Sequence, residues 1–235
     1  MTKSWRKGFT LAVAGLGLAL LWSAAPAEAG NTTVRAGGFF NVPVKSLKEK
    51  RFRKVVKQQY DFSCGSAAIA TLLTYHYDKP VTEQEVFEAM YETGDKKKIH
   101  TYGFSLLDMK RFLDQRNFDA NGYRAPLDKL MDVGIPAIAL INTGGYLHFV
   151  VVKGVNDNKI LVGDPAFGMR TYERDEFEEM WNGILFVVTE RLEVAQDNFN
   201  VRRDWRVRPK APIGTAMDRQ GLTAFTLTLP RPGDF

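Results

Sequence analysis

The stretch Cys64-Gly65-Ser66-Ala67-Ala68-Ile69-Ala70-Thr71-Leu72-Leu73-Thr74-Tyr75-His76-Tyr77 decides how this chain folds. It is apolar on nearly every side and rich in small residues, the pattern of a helix buried at the centre of a domain. Asp78-Lys79-Pro80 stops it. The residue that opens the helix, Cys64, is the only cysteine in 235 residues. A thiol at a helix start meets the positive end of the helix dipole and unpaired first-turn N–H groups. Both favour the thiolate, the form that attacks a carbonyl. A lone buried cysteine is also a common inert core residue, so neighbouring sequence has to separate the two readings.

On the C-terminal side, Thr82-Glu83-Gln84-Glu85 reads as a capping box that starts a second helix, running to about Gly94. Ser105-Leu106-Leu107-Asp108 repeats the logic for a third, with Met109, Phe112 and Leu113 on its apolar face and Asn117 near its stop. Pro126 opens a short helix that ends at Gly134. The texture then changes to short runs rich in β-branched residues: 135–141, 149–155, 160–162 and 184–188. Turn residues such as Asn142-Thr143-Gly144-Gly145 and Asn156-Asp157-Asn158 separate them, so these runs read as strands. A short helix is expected over 174–181. Helices first and strands afterwards predict an α+β domain, with N-terminal helices packed on an antiparallel sheet.

On the N-terminal side, Gly, Asn, Thr and Pro punctuate residues 30–44, an extended leader into a domain over 45–190. Residues 1–29 combine Lys3, Arg6 and Lys7, an uncharged run from Gly8 to Pro26 and Ala27-Glu28-Ala29. That is the pattern of a signal peptide, and it predicts export to the periplasm. The strongly apolar part, Phe9 to Trp22, is shorter than the roughly 20 residues of a membrane span, so no transmembrane domain is expected after cleavage. Cleavage lowers the formal charge from +5 to +3. With 45% hydrophobic residues and 12% aromatics the chain has material for one sizeable core.

The densest charge lies over 45–57, with seven basic residues and one acidic. It reads either as a solvated stretch or as a surface for an anionic partner. No recognisable nucleic-acid motif accompanies it. Past about Glu190 the pattern weakens into a C-terminal tail, 191–235, partly irregular, with Arg202, Arg203, Arg206 and Arg208 and an edge-strand candidate over 223–229. One cysteine and three scattered histidines lack zinc-ligand spacing, and no Gly-rich phosphate loop is present, so no metal or cofactor is expected.

Thiol chemistry on an acyl group needs a base, a group that holds the base and donors for the oxyanion. His76 is twelve residues past Cys64 on the same helix, about 18 Å away, and cannot serve. His100 follows three lysines in a polar loop and reads as exposed. His148 opens a strand directly after a Gly-Gly turn, where its ring can face the start of the central helix. Asp164 ends the next strand, sixteen residues on, so a hairpin brings the two together; it either holds the ring or caps the turn before Pro165. Gln58, six residues ahead of Cys64, offers a side-chain amide to the oxyanion, or is an ordinary surface residue.

Together the runs Gln58-x5-Cys64-Gly65-x-Ala67-Ala68, Gly103-x-Ser105-x2-Asp108, Tyr146-Leu147-His148-Phe149-Val150-Val151 and Gly163-Asp164-Pro165-Ala166 resemble the C39 cysteine peptidases. These are papain-like domains that cut leader peptides after Gly-Gly. The resemblance covers roughly 50–190 and implies Cys64 as nucleophile, His148 as base, Asp164 as orienting residue and Gln58 as oxyanion donor. The best-known members are fused to an ATP-driven exporter. This chain has no Walker-type loop and is more similar to free-standing exported C39-like proteins, such as that of the Fap functional-amyloid secretion system. The resemblance therefore implies an exported endopeptidase acting on a secreted or outer-membrane protein, alongside outer-membrane secretion machinery. Two other readings stand beside it. One is a non-catalytic module that binds or chaperones an exported peptide; the other is amidase or transpeptidase chemistry on the cell wall.

Overall fold

The computed structural model describes residues 31–35, 39–43 and 46–207. Contacts divide the chain after Lys45 into two units. In the first, β1 (Asn31–Arg35) and β2 (Phe39–Pro43) pair antiparallel with Asn31 opposite Pro43. The extended leader is thus a hairpin over these residues. The expected signal peptide and the edge strand over 223–229 lie outside the described residues.

The second unit starts with α1 (Leu47–Arg51), set by a capping box between Ser46 and Glu49. The central helix α2 (Cys64–His76) follows, with eleven of its thirteen residues buried. Its small residues let neighbours come close. A Cβ on Gly65 would stand 2.8 Å from Met109 Cε and 3.1 Å from Phe104 Cβ, so the absence of a side chain there lets the helix carrying Met109 come close. Both capping boxes read from the sequence are formed. Thr82 and Glu85 start α3 (Glu83–Thr93), and Ser105 and Asp108 start α5 (Leu106–Asp114). Between them lies α4 (Lys96–Tyr102), whose first turn is capped by Asp95 accepting from the N–H groups of Lys97 and Lys98. The loop expected around His100 is therefore helical. Asp95 supplies the start signal, and buried Ile99 the apolar contact.

After α5 the chain forms β3 (Ala120–Arg124), α6 (Asp128–Val133), β4 (Ala137–Thr143), β5 (Tyr146–Val155), β6 (Lys159–Asp164), β7 (Gly168–Glu173), α7 (Arg174–Met180), β8 (Trp181–Val188) and α8 (Leu192–Asp197). Six strands make one antiparallel sheet in the order β3-β8-β4-β5-β6-β7. Two of them, β3 and β7, were not expected; both are edge strands with little β-branched sequence, held by backbone pairing to β8 and β6. In β5 the eight residues from His148 to Val155 are all buried. Since successive side chains point to opposite faces, both faces of the sheet are covered at β5. The α2 helix packs on β4, β5 and β6, and the phenol of Tyr77 just past its end donates to the Val188 carbonyl at 2.9 Å. The arrangement presents the start of α2 toward the first residues of β5.

Candidate active site

Cys64 is the first residue of α2 and is 5% exposed. The N-cap residue Ser63 does not cap the helix with its side chain. Its hydroxyl is used in the preceding turn, donating to the Tyr60 carbonyl at 3.0 Å and accepting from the Tyr60 N–H at 3.1 Å. A helix start without a side-chain cap keeps its first N–H groups, that of Cys64 among them, for an incoming acceptor.

His148 and Asp164 are buried, at 3% and 1% exposure. His148 Nε2 lies 2.9 Å from Asp164 Oδ1. The same carboxylate oxygen accepts from the N–H groups of Ala166 (2.8 Å) and Phe167 (3.2 Å). The two sequence readings of Asp164 are therefore not alternatives: the turn it caps is what fixes the oxygen that meets His148. Arg170 stands 3.9 Å from the other oxygen. His148 Nδ1 is buried without a formed hydrogen bond, and Cys64 is the other side chain acting on the ring. Burial alone favours the neutral imidazole. The hydrogen bond and charge of Asp164, together with the nearby Cys64, override it and raise His148 to about 9.

Gln58 belongs to the segment that leads into α2. Its backbone N–H donates to the Pro165 carbonyl at 3.1 Å, which ties this segment to the turn after Asp164. Its side-chain amide donates to the Tyr60 carbonyl at 3.0 Å, with the Asp61 carbonyl at 3.5 Å, and its Oε1 is buried without a partner. One N–H of the amide is thus firmly used, and the other is engaged only at the longer distance.

Tyr146, to which sequence reasoning attached no role, completes the site. Its phenol donates to the Asp61 carbonyl, and its ring stacks on His148 with centroids 5.9 Å apart. Burial, the charge of Cys64 and the charge of Asp61 all push its ionisation to higher pH. The signal for it was the period of two along β5, which puts residues 146 and 148 on one face.

The other histidines are elsewhere. His76, at the far end of α2, is fully buried with Nε2 2.7 Å from Lys153 Nζ. Burial, then the charges of Lys153 and Lys54, lower its protonation well below the ordinary range. His100 sits on α4 with Nε2 3.2 Å from the Tyr91 phenol and its ring 5.0 Å from that of Phe62. Among the described residues no three His, Cys, Asp or Glu side chains converge as metal ligands, and no helix is long and apolar enough to cross a membrane.

A buried thiol at an open helix start, an imidazole with one nitrogen turned to it and a carboxylate on the other nitrogen can carry out nucleophilic acyl transfer. Comparison with known proteins points the same way. A family model described as the Peptidase C39 family matches residues 53–193. The chain is 42% identical over 162 residues to "Probable functional amyloid protease FapD" of Pseudomonas aeruginosa, covering 69% of this chain and 72% of that protein. It is 40% identical over 172 residues to the protein of the same name from Pseudomonas fluorescens, covering 72% and 76%. A crystal structure of the peptidase domain of Streptococcus ComA, described as a bi-functional ABC transporter, is similar in fold. Its TM-score is 0.50 at 21% identity, covering 58% of this chain and 97% of that one.

Proposed function

The chain belongs to the peptidase C39 family and is a cysteine peptidase, and from that premise we propose that it is an exported endopeptidase that processes a secreted or outer-membrane partner protein. Its relatives' name as functional amyloid proteases supports a substrate among the exported components of an amyloid system. The signal-like residues 1–29 support a periplasmic location, with a peptidase domain over 45–190.

Cys64 is the nucleophile in this reading. His148 Nδ1 takes the thiol proton, leaving thiolate and imidazolium, and the Sγ attacks the scissile carbonyl. The same nitrogen then delivers the proton to the leaving amine, and water hydrolyses the thioester with His148 as base. Asp164 holds the ring through Nε2. The Cys64 N–H and the Gln58 amide, released from its long contact with the Asp61 carbonyl, donate to the oxyanion. The observation that carries the reading is the 2.9 Å contact of His148 Nε2 with Asp164, because it leaves Nδ1 for sulfur.

Incubating the purified protein with candidate exported amyloid subunits, and reading fragments by mass spectrometry, tests it. The wild type is expected to give one or a few defined cuts. Cys64→Ala is expected to give none while melting as the wild type does. Cleavage that persists in Cys64→Ala overturns the assignment, and a wild type inert toward every exported subunit overturns the substrate class.

A further inference from the structure

The basic run over 45–57 and the arginines after 200, far apart in sequence, meet in space. Lys50, Arg53 and Lys54 from one side, and Arg203 and Arg206 from the other, line a single cavity of about 30 Å³. One acidic residue joins them, Asp204, and it is already committed: its carboxylate is 5% exposed and pairs with Lys54 Nζ at 2.8 Å. Among the described residues, Lys50, Arg53, Arg203 and Arg206 form no ion pair. Four cations with no ion-pair partner among the described residues, gathered around one concavity, repel one another, and their charge is complementary to an anion.

The backbone that carries the arginines is held in place. The pairing of β5 with β6 shifts register between Val152 and Gly154. There Asn200 accepts from the Val155 N–H and donates to the Val155 carbonyl, both at 2.9 Å, while its own N–H donates to the Lys153 carbonyl at 3.0 Å. A Cβ on Gly154 would stand 2.4 Å from Asn200 Oδ1 and 3.0 Å from the Trp205 ring, so the fit requires glycine. The Lys54–Asp204 pair fastens the far side of the segment. Such anchoring lowers the backbone entropy lost when Arg203 and Arg206 close on a ligand.

We propose that this cleft is a binding site for a phosphate-type oxyanion, either free or carried on an anionic lipid headgroup. Arginine forks and lysine ammonium groups match the oxygens of a tetrahedral anion. The cavity's small volume suits a single compact anion. This site is separate from the candidate active site and does not depend on the peptidase reading.

Binding of the purified protein to inorganic phosphate, and to phosphatidylcholine vesicles with and without phosphatidylglycerol, tests the proposal. Arg53→Glu and Arg206→Glu, both at exposed positions, are expected to weaken binding about tenfold or more. Lys97→Glu, a reversal of equal charge on α4, is expected to leave it unchanged, and all three variants to melt as the wild type does. Phosphate binding without vesicle binding assigns the site to a free anion; vesicle binding that phosphate competes away assigns it to a headgroup. Absence of both, equal loss in Lys97→Glu, or binding of a polyglutamate peptide alone overturns the proposal.

Discussion

At the scale of the residue, the behaviour of His148 follows from what each ring nitrogen meets. Asp164 is a fixed acceptor because two backbone N–H groups hold its Oδ1 independently of the ring. Replacing Asp164 by Asn keeps an amide oxygen as acceptor but removes the negative charge that helps raise His148 to about 9, so its protonation falls back toward the ordinary 6.5. The alkaline limb of the pH profile of kcat/KM is then expected to move down by about one to two pH units. The rate itself should fall by about 10²-fold or more. A limb that stays near pH 9 in Asp164→Asn would contradict this role. Cys64, His148 and Asp164 were legible in sequence because their surroundings, a helix start, a post-turn strand and an Asp-Pro turn, are local patterns. The contact of Tyr146 with the Asp61 carbonyl was not, because it joins positions 85 residues apart. The partners of the Gln58 amide also escaped notice, since a turn that folds back on its own carbonyls leaves no spacing to read.

At the scale of the element, α2 sets the position of the nucleophile, and the close approach of α5 sets α2. Gly65→Ala puts a methyl 2.8 Å from Met109 Cε and 3.1 Å from Phe104 Cβ. The flexible methionine end can move; the Phe104 Cβ, next to its own backbone, cannot move far. The expected result is a loss of about 1–3 kcal/mol in stability, read by denaturant unfolding, together with slower turnover from a displaced Cys64. A variant as stable as the wild type would mean that α5 is not tightly seated. The elements that could be read ahead carry their own signals, namely capping boxes at Thr82 and Ser105 and β-branched runs in β4, β5, β6 and β8. Of those that could not, β3 and β7 are stabilised by ladders on one side, and α8 by contacts that bury Ala195. Segment propensity does not register such support.

At the scale of the whole molecule, two buried bases act on stability with opposite sign. Burial, against the charge of Asp204 and aided by Lys54, lowers Lys153 from 10.5 to about 7. Between those values the unfolded chain holds a proton the fold has shed, so stability rises with pH. His148 is raised from 6.5 to about 9, so its contribution is full below pH 6.5 and lost as pH climbs through 9. Over pH 7 to 9 the two slopes, each near 1.4 kcal/mol per pH unit at most, oppose each other. Stability measured against pH should thus be nearly flat there in the wild type, fall in Lys153→Met and rise in His148→Ala. Parallel curves for all three proteins would contradict it. The central claim is that His148 activates the thiol of Cys64, and the single cysteine makes the most direct measurement a clean one: the rate of alkylation at pH 6 in the wild type and in His148→Ala. A free thiol, with a reference value of about 8.5, is almost wholly protonated at that pH. The expected result is a wild-type rate at least about tenfold above that of His148→Ala; equal rates would mean that the histidine does not act on the sulfur.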